Sequence, residues 1–206
     1  MALAHRWTSR NLSRLELTAA VVIIGILMGT FMDRGLRIFA MAEQRALQAS
    51  VLNINTALTI MFYQLMAGNR VSEAAQWQHG NPLELIQSRE MLVEVDTIQS
   101  HPELARLSAL SVGLGSRYLG EYANLEPGEV RGGQWYFDLD DATLVYRIRN
   151  TEFFQSELAD PPRIRFRLEL EFDDLNGDGQ YNPDLEFPSG AALRPVDDYQ
   201  WIESRS

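Results

Sequence analysis

The sequence predicts an α+β fold, a long N-terminal helix with a membrane-spanning first half, packed on a C-terminal antiparallel β-sheet. Three observations predict it. Residues 12–32 form a run of 21 residues that is almost wholly apolar and lies behind a basic start. Leu47, Val51, Ile54, Leu58, Met61 and Leu65 then recur at 4-3-4-3-4 spacing, which places them on one stripe of a helix. From residue 134 onward apolar and polar residues alternate with the period of a half-buried strand.

The chain has 206 residues, enough for one domain and an extended element, and 46% of them are apolar, enough for a packed core. There is no cysteine, which excludes disulfides and every thiolate-based metal or nucleophile site. The formal charge is −10. Before Glu16 all the charges are basic (Arg6, Arg10 and Arg14), whereas the acidic excess lies in stretches such as 138–141, 173–178 and 197–198. An acidic surface repels phosphate, so no nucleic-acid partner is expected.

Within the apolar run, from Leu15 to Met32, Glu16 is the only charge, and Asp33-Arg34 end it. Twenty-one residues at 1.5 Å each match the length needed to cross a hydrocarbon core. No small-residue cleavage site follows the run, as one would after a secretory signal. The basic residues on the N-terminal side predict that the N-terminus stays cytoplasmic and the remainder is exported. A carboxylate at the edge of such a helix is costly unless it is solvated or functional, and position alone leaves both open for Glu16.

The stretch Leu12-Ser-Arg-Leu-Glu16-Leu-Thr-Ala-Ala-Val-Val-Ile-Ile-Gly25 resembles the N-terminus of type IV pilins and pseudopilins. That family has a hydrophobic first mature residue, then Ser or Thr, Glu as the fifth residue, and an aliphatic run with an embedded Gly. Leu12, Ser13, Glu16 and Gly25 fall in register. The resemblance implies a structural subunit of a type IV pilus or related filament. It implies other pilin subunits as partners through the N-terminal helix, the inner membrane as anchor, and a pairing of Glu16 with a neighbouring subunit's N-terminal amine. The chain departs from the pattern twice: Asn11 stands where the family has Gly before the prepilin peptidase cut, and Arg14 stands at an aliphatic position. A subunit cut between Asn11 and Leu12 and an uncut single-pass accessory protein with a periplasmic binding or assembly domain are both compatible with these residues.

Beyond Asp33 the helix pattern continues. The first proline is Pro82, and the stripe from Leu47 to Leu65 sits mostly apart from Glu43, Gln44, Gln48, Asn55 and Gln64. One helix is expected from about residue 13 to Ala67, roughly 80 Å long at 1.5 Å per residue, stopped by Gly68-Asn69. This divides the chain into a leader (1–11), a membrane helix (12–33), its amphipathic continuation (34–68) and a head (69–206).

In the head, Asn81 as N-cap with Pro82 at the first turn predicts a short helix over 82–89, and a second is expected over 101–110. Gly113, Gly115 and Gly120 suggest a loop without dinucleotide-binding spacing. Strands are expected at 134–138, 143–149, 164–172 and 199–202, forming a meander covered by the long helix. The order of these strands resembles the heads of MSHA-type (mannose-sensitive haemagglutinin) minor pilins.

Asp174, Asn176 and Asp178 occupy the first, third and fifth ligand positions of an EF-hand-type loop, the Gln180 carbonyl the seventh and Asn182 the ninth. Leu185 stands at the twelfth, so Asp184 or Glu186 would have to replace it. The alternatives are a structural Ca²⁺ site and a tight acidic turn. The three histidines (5, 79 and 101) fit no metalloprotease pattern, and no nucleophile elbow or phosphate loop occurs, so no enzymatic activity is expected.

Overall fold

The computed structural model describes residues 14–90 and 117–202. Asn11, Leu12, the helix expected over 101–110 and the loop glycines Gly113 and Gly115 lie outside them. The chain divides into two compact units, Met1–Ala40 and Met41–Ser206.

Helix α1 runs from Arg14 to Ala67 without a break. Its end follows the predicted stop signal: Asn69 adopts a left-handed φ of 55°, and the N–H of Arg70 returns to the Leu65 carbonyl at 2.8 Å. In the first unit Val21, Val22, Ile23, Ile24, Ile26 and Leu27 are each more than half exposed, so the helix is apolar on all its sides.

The second unit is α+β. Leu47, Ile54, Leu58, Met61 and Leu65 of α1 are buried and Val51 is half-buried, as the stripe predicts. Each of the five buried side chains contributes about 1.5–3 kcal/mol from apolar surface removed from water. A 3₁₀ turn over Val71–Trp77 and helix α2, Pro82–Glu90, add Ala74, Trp77, Leu83 and Ile86 to the same core. Asn81 caps α2 as expected, its Oδ1 accepting the Leu83 N–H at 3.0 Å.

Seven strands follow: β1 Tyr118–Tyr122, β2 Trp135–Asp138, β3 Thr143–Arg147, β4 Phe154–Ser156, β5 Arg163–Phe172, β6 Pro188–Pro195 and β7 Tyr199–Trp201. Five form one sheet in the order β1-β2-β3-β5-β6, and β4 pairs with β7 in a separate two-stranded sheet. Every pairing is antiparallel except β1 with β2. On β5, Ile164, Phe166, Leu168 and Leu170 point into the core, while Arg163, Arg165, Arg167 and Glu169 alternate outward. Trp135, Phe137, Leu144, Tyr146 and Leu193 complete the face that meets α1. Strand β3 is buried throughout, because Val130 and Leu125 pack with Tyr136 and Val145 on the opposite face.

Three expectations change. Gly120 lies within β1 rather than in a loop, with φ at 111° where the pairing with β2 slips register. The last strand pairs with β4 instead of extending the main sheet. Glu43 lies on the buried side of α1, not off it.

Candidate functional site

Glu16 lies on α1 three residues into the described part of the chain. The neighbouring Thr18 hydroxyl donates to the Arg14 carbonyl at 2.8 Å, which spends its polarity on the helix itself. By length and composition α1 has one segment apolar enough to cross a membrane, and that segment is near the N-terminus and unburied. Of the residues expected to act in processing and assembly, the structure thus places Glu16 on this helix.

Glu43 is held by four hydrogen bonds. One carboxylate oxygen accepts the Tyr146 hydroxyl at 3.0 Å and the Arg149 N–H at 2.7 Å. The other accepts the Asn150 N–H at 2.9 Å and its Nδ2 at 2.6 Å. Four donors replace the water lost on burial, which is the condition for keeping a carboxylate inside a protein. Burial, followed by the charge of Glu43, pushes the Tyr146 phenol well above its ordinary pKa, so the hydroxyl stays a donor. Twelve residues further along α1, Asn55 Oδ1 accepts the Leu193 N–H of edge strand β6 at 2.7 Å. Glu43 and Asn55 therefore tie the helix to the end of β3 and to the edge of the sheet.

The predicted ion loop lies between β5 and β6. Asp174 accepts the N–H groups of Gly177 at 2.7 Å and Gly179 at 2.9 Å, one on each carboxylate oxygen. Asn176 Oδ1 accepts from the Asp178 N–H, Asp178 Oδ1 from Gln180, and Asn182 Oδ1 from Asp184. Gly177 and Gly179 take positive φ values of 75° and 70°, which lets the chain wrap around Asp174. Asp174, Asn176, Asp178, Gln180, Asn182 and Asp184 are thus gathered into one loop ordered by its own backbone. Of the two side chains that could replace Leu185, Asp184 is exposed and Glu186 is turned away: it is buried, and its oxygens accept the N–H groups of Leu175 at 3.1 Å and Asn182 at 2.8 Å. Among the described residues no group of three or more His, Cys, Asp or Glu side chains is arranged to hold a metal ion. A cation here would draw on Asp174, Asn176 and Asp178 and on carbonyls, through lone pairs the backbone leaves free.

Two further clusters fix the head. The Arg165 guanidinium binds both oxygens of Asp197, at 2.8 and 2.6 Å, and reaches Asp141 at 2.7 Å. The hydrogen bonds from Arg165 hold the Asp197 carboxyl below its ordinary range. Asn81 donates to the Tyr118 hydroxyl at 2.7 Å and to Glu121 at 2.8 Å, joining the start of α2 to β1. Burial pushes the Tyr118 phenol up to about 12.

No protein-family model, no curated protein and no solved structure matches the chain. Sequence reasoning missed Glu43, Asn55 and Arg165 as structural ties. A signal for Glu43 was present: it stands four residues before Leu47 and extends the buried stripe by one turn.

Proposed function

We propose that this protein is a pilin-like structural subunit, a minor pilin of MSHA-type or a pseudopilin, in a type IV pilus or a related filament. In this reading its N-terminus is cytoplasmic, one helix spans the inner membrane, and the α+β head lies in the periplasm. One observation carries the reading. A single unbroken helix joins an all-round apolar segment, with Glu16 as the fifth residue from Leu12, to a stretch that supplies the core of an α+β head. The membrane segment packs among the helices of other subunits. There Glu16 pairs with a neighbour's N-terminal amine and sets axial register. Desolvation offsets much of that attraction, so the pair acts in alignment more than in stability.

This role requires a chain that begins at Leu12. Intact-mass measurement of the protein from its native membrane tests it: a chain starting at Leu12 is expected, and a chain starting at Met1 removes the amine partner of Glu16. Asn11 and Arg14 favour a second reading, an uncut single-pass accessory protein of the same machine, which the Met1 mass would support. Within either reading the 174–184 loop has the same two alternatives, a structural Ca²⁺ site held by Asp174, Asn176 and Asp178 or a tight acidic turn. Calorimetric titration of the metal-free protein with CaCl₂ is expected to show one site that Asp174→Asn and Asp178→Asn remove; absence of heat would reduce the loop to an acidic turn.

A further inference from the structure

The loop between β5 and β6 carries exposed apolar side chains that neither the filament reading nor the Ca²⁺ reading uses. Leu175, Leu185 and Phe187 are 72%, 55% and 81% exposed. The buried carboxylate of Glu186 accepts the N–H of Leu175 at 3.1 Å, which brings the backbone at 175 beside residues 185–187. The backbone beneath them is held by Asp174, Asn176, Asp178 and Asn182 accepting hydrogen bonds within the loop. The three large apolar side chains thus stand on a fixed support and do not turn inward. Asp173, Asp174, Asp178 and Asp184, all exposed, belong to the same loop. Among the described residues none of the four is within ion-pair distance of an arginine.

An exposed apolar cluster rimmed by polar groups marks an interaction surface. The sign of the rim selects the occupant. A second copy brings the same acidic loop and a net charge of −10, so self-contact here is opposed by like charge. Anionic lipid headgroups are repelled for the same reason. We propose that this loop docks a protein segment that is both cationic and apolar, one in which Arg or Lys side chains flank two or three large aliphatic or aromatic residues. Phe187 and Leu175 would supply the buried contact, and in the metal-free loop the four aspartates would supply the attraction.

The test uses the full chain in nanodiscs of zwitterionic phospholipid, with EDTA present so that no divalent cation neutralises the loop. The probe is a labelled peptide in which leucine and arginine alternate, read by fluorescence anisotropy. The comparison peptide has serine in place of leucine at the same charge. The leucine peptide is expected to bind at least about tenfold more tightly than the serine peptide, and Phe187→Ser and Leu175→Ser are each expected to weaken it about tenfold or more. Both side chains are exposed, and unchanged melting of the variants establishes that the head is intact. Equal binding of the two peptides would reduce the loop to a general negative field and overturn the proposal. Binding unchanged in both serine variants, or equal binding to empty nanodiscs, would overturn it as well. The outcome is independent of where the mature chain begins.

Discussion

Residues 14–40 and 41–67 belong to one helix and have the same share of apolar side chains, seventeen of twenty-seven in each. The first stretch exposes nearly all of them, and the second buries those at 47, 54, 58, 61 and 65. Composition therefore does not separate a segment suited to lipid from one suited to a protein core; arrangement does. In the first stretch aliphatic residues follow one another around the whole circumference, and in the second they alternate with Gln, Asn, Ser and Thr at helical spacing. Polar insertions are what give the second stretch a defined inner side. The ties at Glu43 and Asn55 use the same principle, since a directional hydrogen bond fixes a setting that aliphatic packing alone leaves adjustable.

The largest effect expected from this contrast is on the buried stripe. Leu58→Ala should lower the unfolding free energy of the head by about 2–5 kcal/mol through lost transfer energy and a residual cavity. Ile24→Ala, in the exposed stretch, should leave head unfolding in detergent unchanged. Equal shifts in the two thermal melts would break the comparison. Glu43→Ala comes next, at about 2–4 kcal/mol, because it strands the Arg149 and Asn150 N–H groups and the Tyr146 hydroxyl in the interior. Glu43→Gln should recover part of that loss, since an amide oxygen still accepts; chemical denaturation of both variants measures the difference.

Asp197→Asn should cost about 1–2 kcal/mol at pH 7 by weakening the fork with Arg165. The folded carboxyl is held below its ordinary range, so its stabilisation is present above pH ~4 and is lost as pH falls through the folded value. The melting curves of wild type and variant should therefore converge in acid. The smallest effect at neutral pH is that of Tyr118. Its phenol is raised to about 12, so the stability it contributes is complete below pH ~10 and disappears as pH rises toward 12. Tyr118→Phe should flatten that part of the alkaline unfolding profile and leave the rest unchanged.

Long-period signals were legible in the sequence and short-range compensations were not. The extent of α1, its stop at Gly68-Asn69, the capped α2 and the alternation of β5 all follow from spacing and turn chemistry. Strand β6 reads Pro-Ser-Gly-Ala-Ala-Leu-Arg-Pro, with no β-branched or aromatic residue, and becomes a strand because β5 and Asn55 satisfy its backbone. Strand β1 holds a glycine with positive φ, and β7 is three residues long, too short for a pattern. In the loop at 174–186 the spacing of the acids was visible, but the inward turn of Glu186 onto two backbone N–H groups was not, because it depends on how the loop closes.

Glu43 and Asn55 lie about 18 Å apart along the helix axis, twelve residues at 1.5 Å each. One pin would fix the axial position of the helix and leave it able to pivot; two fix its tilt and rotation as well. A pull along the axis of residues 43–55 is then resisted in shear by hydrogen bonds near the end of β3 and at the edge of β6, loaded together. Bonds loaded in parallel share a force that would break them singly, so this stretch of helix transmits tension into the sheet without sliding over it.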